Sequence, residues 1–150
     1  MRFFRSFYCA ARGIVEAAKG RNFKIMLCIG ALVIFFAARF YELSGMEWAV
    51  MFLTVGAVLS IEAVNTSVER LSDKVCGEKD ELIRKAKDCA AGGSLIISLF
   101  AVAVGVSLFW REEKFSEIFA FFSEPLRIVI LAAVLVLMVI FVIFPRRKEK

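Results

Sequence analysis

Glu62, Asn65, Thr66, Glu69 and Asp73 recur at helical spacing, and at about 100° per residue they lie within roughly 60° either side of Glu62. A helix built from them carries one polar face. Upstream, Trp48 to Ile61 has no charge, so that face begins where an apolar helix would be leaving hydrocarbon. An ionisable group at such depth is costly, which makes it a functional candidate. The residue types suit one chemistry in particular. A membrane-embedded carboxylate can reach a lipid hydroxyl, while carboxylates one and two turns further out can hold a divalent cation and, with it, the phosphates of a nucleotide. Further along, Lys87 supplies positive charge for phosphates and Asp88 adds another acid. The plainer alternative is that Glu62 and Asn65 form a polar contact that fixes helix pairing.

The elements that must position these residues are membrane helices. Of the 150 residues 60% are hydrophobic, mean hydropathy is +0.74 and the net charge is +5. A soluble domain of this size is rarely so apolar, and its hydrophobic residues are gathered into long runs. The basic balance suits anionic headgroups or phosphates. Nucleic acid is disfavoured, since Lys and Arg cluster beside hydrophobic runs and no aromatic-basic nucleic-acid motif is present.

Met1 to about residue 22 interleaves Arg2, Arg5, Arg12 and Lys19 with Phe3, Phe4, Phe7, Tyr8 and Ile14, the pattern of an interfacial amphipathic helix. A cleavable signal peptide is disfavoured, because the basic region is long and no small-residue cleavage site follows. Gly20 separates this helix from the next. The first membrane helix is expected over about 23–41. Its apolar run, Ile25 to Ala38, spans only about 21 Å, so Lys24 and Arg39 are expected to snorkel outward from its ends. The second is expected over about 48–70 and the third over about 88–110, with a hydrophilic loop from Arg70 to Lys87 turning at Gly77. Ala90 to Ser94 are small residues that allow close helix contact. No spacing of a glycine-rich phosphate loop occurs there. After a charged connection, Ser123-Glu124-Pro125 starts an extra helix over about 125–144, closed by the basic tail Arg146 to Lys150. The fold class is thus all-α and membrane-embedded, with residues 1–110 as one unit and 111–150 as an addition.

Lys and Arg are concentrated at both ends and in the Arg70–Lys87 loop, whereas the connections near Glu42 and Glu112 are acidic or mixed. By the positive-inside rule both termini and that loop face the cytoplasm, where ATP is available. The polar constellation then points to phosphoryl transfer from a nucleotide to a lipid. The four cysteines, Cys9, Cys28, Cys76 and Cys89, show no CxxC, and the chain has no histidine, so a zinc site is not expected and they are taken as packing residues.

Glu62-Ala63-Val64-Asn65-Thr66-Ser67-Val68-Glu69 with Asp73, then Arg84-Lys85-Ala86-Lys87-Asp88 and small residues, resembles the signature of the prokaryotic diacylglycerol kinase and undecaprenol kinase family. The likeness covers about residues 5–110. It implies a small integral kinase of the cytoplasmic (inner) membrane, homotrimeric, using ATP and Mg²⁺ to phosphorylate a lipid alcohol. It also implies Glu62 as the catalytic base, Glu69 as a metal ligand, and Asn65, Glu69, Asp73, Lys87 and Asp88 as the nucleotide-binding set. Diacylglycerol and undecaprenol compete as acceptor. The stretch Arg21-Asn22-Phe23-Lys24-Ile25 and the earlier Ser6-Phe7 are closer to the undecaprenol branch. The sequence departs from the family at Gly20, where an acidic metal ligand is usual; Glu16, one turn back, is the candidate substitute, against its default as a solvated helix residue. A non-catalytic scaffold descended from a kinase is the competing reading.

Overall fold

The computed structural model describes residues 2–75 and 80–144. Among the described residues the chain forms α1 (Arg2–Ala17), α2 (Arg21–Phe40), α3 (Gly45–Val75), α4 (Glu81–Phe109), α5 (Glu112–Phe122) and α6 (Pro125–Ile143), with no strand. The helices α2, α3, α4 and α6 are each long and apolar enough to cross a membrane. The protein is therefore an all-α, multi-pass membrane protein, as its composition predicts.

The helix ends follow from local chemistry. Gly20 N–H bonds the Ala17 carbonyl at 2.9 Å, and Gly20 then serves as the extended N-cap of α2. Ser44 and Glu47 cap α3 reciprocally: Glu47 N–H donates to Ser44 Oγ at 3.3 Å and Ser44 N–H to Glu47 Oε2 at 2.7 Å. At the same end Arg111 donates to Glu47 Oε1 at 2.9 Å and Tyr41 Oη to the Phe109 carbonyl at 2.9 Å. These contacts tie the end of α2 and the start of α3 to the end of α4.

At the opposite end the helices run further than the hydrophobic pattern suggests. Helix α3 has 31 residues, a length of about 46 Å, well beyond a hydrocarbon core roughly 30 Å thick. Helix α4 begins at Glu81, with Asp80 Oδ1 accepting from the N–H groups of Leu82 at 2.8 Å and Ile83 at 3.2 Å. The stretch expected as a loop over Arg70–Lys87 is therefore helical up to Val75 and again from Glu81; residues 76–79, including Cys76 and Gly77, lie outside the described residues, as does the basic tail Arg146 to Lys150. The reason is that Lys, Arg and Glu leave the membrane without leaving the helix. They are good helix formers, and Glu81–Lys85 at 2.8 Å and Arg84–Asp88 at 3.4 Å pair one turn apart.

The principal interface is α3 against α4, with α2 packed on α3. Ala37, Met51 and Leu108 form its buried centre, flanked by Val33, Ile34, Trp48 and Val104. Gly30 sets the approach of α2 to α3, since a β-carbon there would stand 3.0 Å from Val55 Cγ1.

The added hairpin of α5 and α6 docks on α2. Here the expectation for Lys24 is overturned. Its side chain does not snorkel outward but is buried, 5% exposed, with Nζ donating to the carbonyls of Phe141 at 3.0 Å and Phe144 at 3.2 Å. The ammonium also stands 5.0 Å from the Phe141 ring. The last carbonyls of α6 have no partner within their own helix, so a nearby cation satisfies them better than lipid would. Near the other end Arg39 and Arg127 cover the Phe121 ring at 4.5 and 4.3 Å. Cationic contacts at both ends thus hold α6 antiparallel to α2.

Replacing Lys24 by methionine keeps the apolar stem and removes the donor. The expected loss is about 1–3 kcal/mol, seen as a lower thermal unfolding midpoint of the protein in detergent. Lys85→Met, which removes only an exposed ion pair, should leave the midpoint nearly unchanged.

Candidate active site

The polar face of α3 is graded by depth. Glu62, Asn65 and Thr66 are buried, Glu69 is half-buried and Asp73 is exposed. Glu62 is 3% exposed and accepts a hydrogen bond on Oε2 from Ser94 Oγ of α4 at 2.7 Å. Among the described residues its other oxygen, Oε1, is buried without a hydrogen-bond partner. One turn on, Asn65 Nδ2 donates to Glu69 Oε1 over a long 3.4 Å, and Asn65 Oδ1 is likewise buried without a partner among the described residues. A further turn out, Lys87 of α4 pairs with Asp73 at 2.9 Å.

The fold thus brings together five of the six residues that the sequence nominates, on the facing sides of two helices. Asp88 is the exception. It is exposed and pairs with Arg84 on its own helix at 3.4 Å. Glu16, the candidate substitute ligand, is taken up elsewhere: Lys19 Nζ lies 2.6 Å from Oε1 and Arg70 of α3 lies 3.5 Å from Oε2, while a second Arg70 nitrogen donates to the Glu16 backbone carbonyl at 3.0 Å. The hydrogen bond from Lys19 holds the Glu16 carboxyl below its ordinary value of 4.5, against desolvation and with the help of the charges of Lys19, Arg70 and Arg12. Gly20 lies against the same face of α3, where an added β-carbon would be 3.4 Å from Thr66 Oγ1 and 3.1 Å from the Ala17 carbonyl.

Ser94 and Arg70 are the contacts the sequence does not announce. Ser94 reads as one of a run of small packing residues; its position two turns beyond Lys87 is the available signal, because that spacing returns to the face of α4 that meets α3.

The donors present fit a hard cation of modest coordination demand. Glu69 offers a carboxylate and Asn65 an unpartnered amide oxygen one turn away. Among the described residues no three acidic, histidine or cysteine side chains form a metal cage. Mg²⁺ does not require one, since it keeps several waters and is commonly held by one or two carboxylates together with substrate phosphates. Of Cys9, Cys28 and Cys89, all free thiols, the first and last are exposed rather than packed.

The candidate residues of this helical bundle thus form a half-satisfied carboxylate, buried between two membrane helices, with an amide, two further acids and a lysine running outward from it. A profile of prokaryotic diacylglycerol kinase matches residues 8–109. The undecaprenol kinase of Bacillus subtilis (strain 168) is 35% identical over 109 residues, covering 72% of this chain and 88% of that protein. The diacylglycerol kinase of Synechocystis sp. (strain ATCC 27184 / PCC 6803 / Kazusa) is 40% identical over 102 residues, covering 67% of this chain but 58% of its own. No solved structure matches. The chain belongs to the prokaryotic diacylglycerol kinase family and is an ATP-dependent lipid kinase. The matched region ends at Phe109, so α5 and α6 lie beyond it.

The Glu16 contact gives a pH test. With its folded pKa depressed, Glu16 steadies the α1–α3 junction above its ordinary value of 4.5, and that contribution is lost as pH falls through the depressed value. A fluorophore on Cys9, with the other cysteines replaced by serine, should gain mobility on acidification below that range. In Glu16→Gln the acid-dependent change should be absent.

Proposed function

We propose that the chain transfers the γ-phosphoryl group of ATP to a membrane lipid alcohol, with undecaprenol preferred over diacylglycerol and with Glu62 as the base. The single observation that carries the site assignment is the buried Oε1 of Glu62, an acceptor with no partner at a depth where a lipid hydroxyl can arrive. In the reaction the hydroxyl proton passes to Glu62 Oε1 as the lipid oxygen forms its bond to the γ-phosphorus. The bond from that phosphorus to the β–γ bridging oxygen breaks, and its electron pair leaves with ADP. Glu69 and Asn65 would hold Mg²⁺, whose role when bound is to neutralise charge on the phosphate oxygens. Lys87 faces the phosphates, steered by Asp73, and Asp88 completes the nucleotide set from the exposed side.

The preference for undecaprenol rests on the Arg21-to-Ile25 entry sequence and on the match to the B. subtilis protein. An apolar cavity of about 430 Å³ between α2, α3 and α4, lined by Met26, Val55, Val58 and Ser98 among others, offers room for part of a hydrocarbon chain. Basic residues at both ends and around α4's start support a site facing the cytoplasm, with both termini on that side of the cytoplasmic membrane. A homotrimer is the assembly we infer. Leu53, Val64 and Leu71 of α3 and Leu95 and Leu99 of α4 are exposed in the single chain, as surfaces that meet other copies or lipid must be.

One observation favours the competing scaffold reading: position 20 is glycine where the family usually has an acid, and Glu16 is held by Lys19 and Arg70. Labelled ATP with each lipid in mixed micelles separates the two. The wild-type chain should phosphorylate undecaprenol faster than diacylglycerol, and Glu62→Gln should lose about 10²–10⁴-fold in rate. A folded wild-type chain inactive on both lipids would favour the scaffold.

Gly20→Glu tests the metal site separately. The backbone at Gly20 is ordinary extended structure, so a side chain is tolerated there once the Ala17 carbonyl yields slightly. The variant should need less Mg²⁺ for half-maximal rate; an unchanged Mg²⁺ dependence would mean that position 20 does not face the metal.

A further inference from the structure

We propose that Ser94 is a positioning residue for phosphoryl transfer: its hydroxyl holds Glu62 Oε2 and thereby presents Oε1 to the acceptor alcohol. The inference rests on the reading of Glu62 as the base.

A serine or threonine inside a membrane helix has an easy partner, the carbonyl one turn back. Thr54, Ser67, Ser98 and Ser107 each use it here, at 2.8 to 2.9 Å. Ser94 instead reaches across the α3–α4 interface to Glu62 at 2.7 Å. Its choice of a carboxylate over its own backbone fits the stronger bond a charged acceptor makes. The geometry has a chemical consequence. The terminal torsion of a glutamate is broad, so an unheld carboxylate samples many orientations. One bond at Oε2 fixes that torsion, and the remaining oxygen is left buried and without a partner. A second donor would have consumed it, whereas no donor would have left its direction undefined.

The run from Ala90 to Gly93 does not set this approach, since a β-carbon on Gly92 or Gly93 would meet nothing within 4 Å; Ser94 reaches Glu62 with its own side chain. The Asn65–Glu69 pair one turn out lies within α3 alone, so Ser94 supplies the link between the deepest acid and α4.

The test uses the full chain in mixed micelles with Mg²⁺, varying ATP and the better lipid acceptor in turn, for wild type, Glu62→Gln, Ser94→Ala and Ser94→Thr. Ser94→Ala is expected to lower kcat roughly 10- to 100-fold, the effect of removing a hydrogen bond to a charged group, with KM for both substrates unchanged. Ser94→Thr restores the hydroxyl and should recover most of kcat. The proposal is overturned if Ser94→Ala keeps wild-type kcat while Glu62→Gln is inactive. It is also overturned if both Ser94 variants lose activity in step with a lowered thermal midpoint, because the residue then serves packing. Retained transfer by Glu62→Gln is a separate result that removes the base assignment itself, and with it the role given to Ser94.

Discussion

Hydrocarbon offers no partner to a charged or polar group, so every such group placed at membrane depth must be met by another part of the chain. Two side chains face this constraint most directly, and the fold answers them differently. Lys24 is met completely, by two carbonyls at the end of α6 and by the Phe141 ring. Glu62 is met by half, through Ser94 alone among the described residues. A fully satisfied cation has nothing left to offer a ligand and works as an anchor. A half-satisfied carboxylate retains an acceptor, and that is the property a base needs. The same physical cost thus yields an anchor in one place and a site in another.

The rest of the site follows from the length of α3. One uninterrupted helix runs from the apolar interior out to water, so a single face passes through a gradient of environments. Glu62 is buried, Glu69 is half-buried and Asp73 is exposed. Roles can be divided along it without any loop: proton transfer where water is excluded, cation and phosphate contacts where charged species can enter. Sites mounted on rigid elements hold their geometry better than sites on loops. The outward extension of α4 matters equally, for it carries Lys87 alongside Asp73 on a helix rather than on a mobile connection.

The polar face was legible in the sequence because all of its members sit on one helix, where periodicity alone determines their common side. The four spans were legible because hydrocarbon selects for unbroken apolar runs. What the sequence hid were contacts between helices. Lys24 reads as a snorkelling cation because its partners lie more than a hundred residues later, in an addition outside the family region. Ser94 reads as filler because a serine among alanines and glycines has no periodic signature. The helical reach of α3 and α4 was hidden for a different reason. Hydropathy reports where a chain leaves the membrane, while helix propensity and i,i+4 ion pairs decide where it stops being a helix. Asp80, a cap between two charged stretches, marks the second boundary but not the first.

The glycine at position 20 tests how far the family pattern can be relaxed. An acid there would project toward Thr66, on the side of α3 that carries Glu62 and Glu69. On the proposed reading, glycine here gives the cation site no charge, and Glu16 does not supply one, since Arg70 and Lys19 hold that carboxylate at the α1–α3 junction. Two facts temper this. Mg²⁺ takes much of its coordination from water and from the phosphates it arrives with, so the proposed share of one carboxylate and one amide oxygen is a workable one. Arg21 next to Gly20 also adds positive charge that favours a polyphosphate, while Lys19 on the other side is paired with Glu16. On this reading the site exchanges metal affinity for phosphate affinity, and the cation is recruited chiefly as its nucleotide complex.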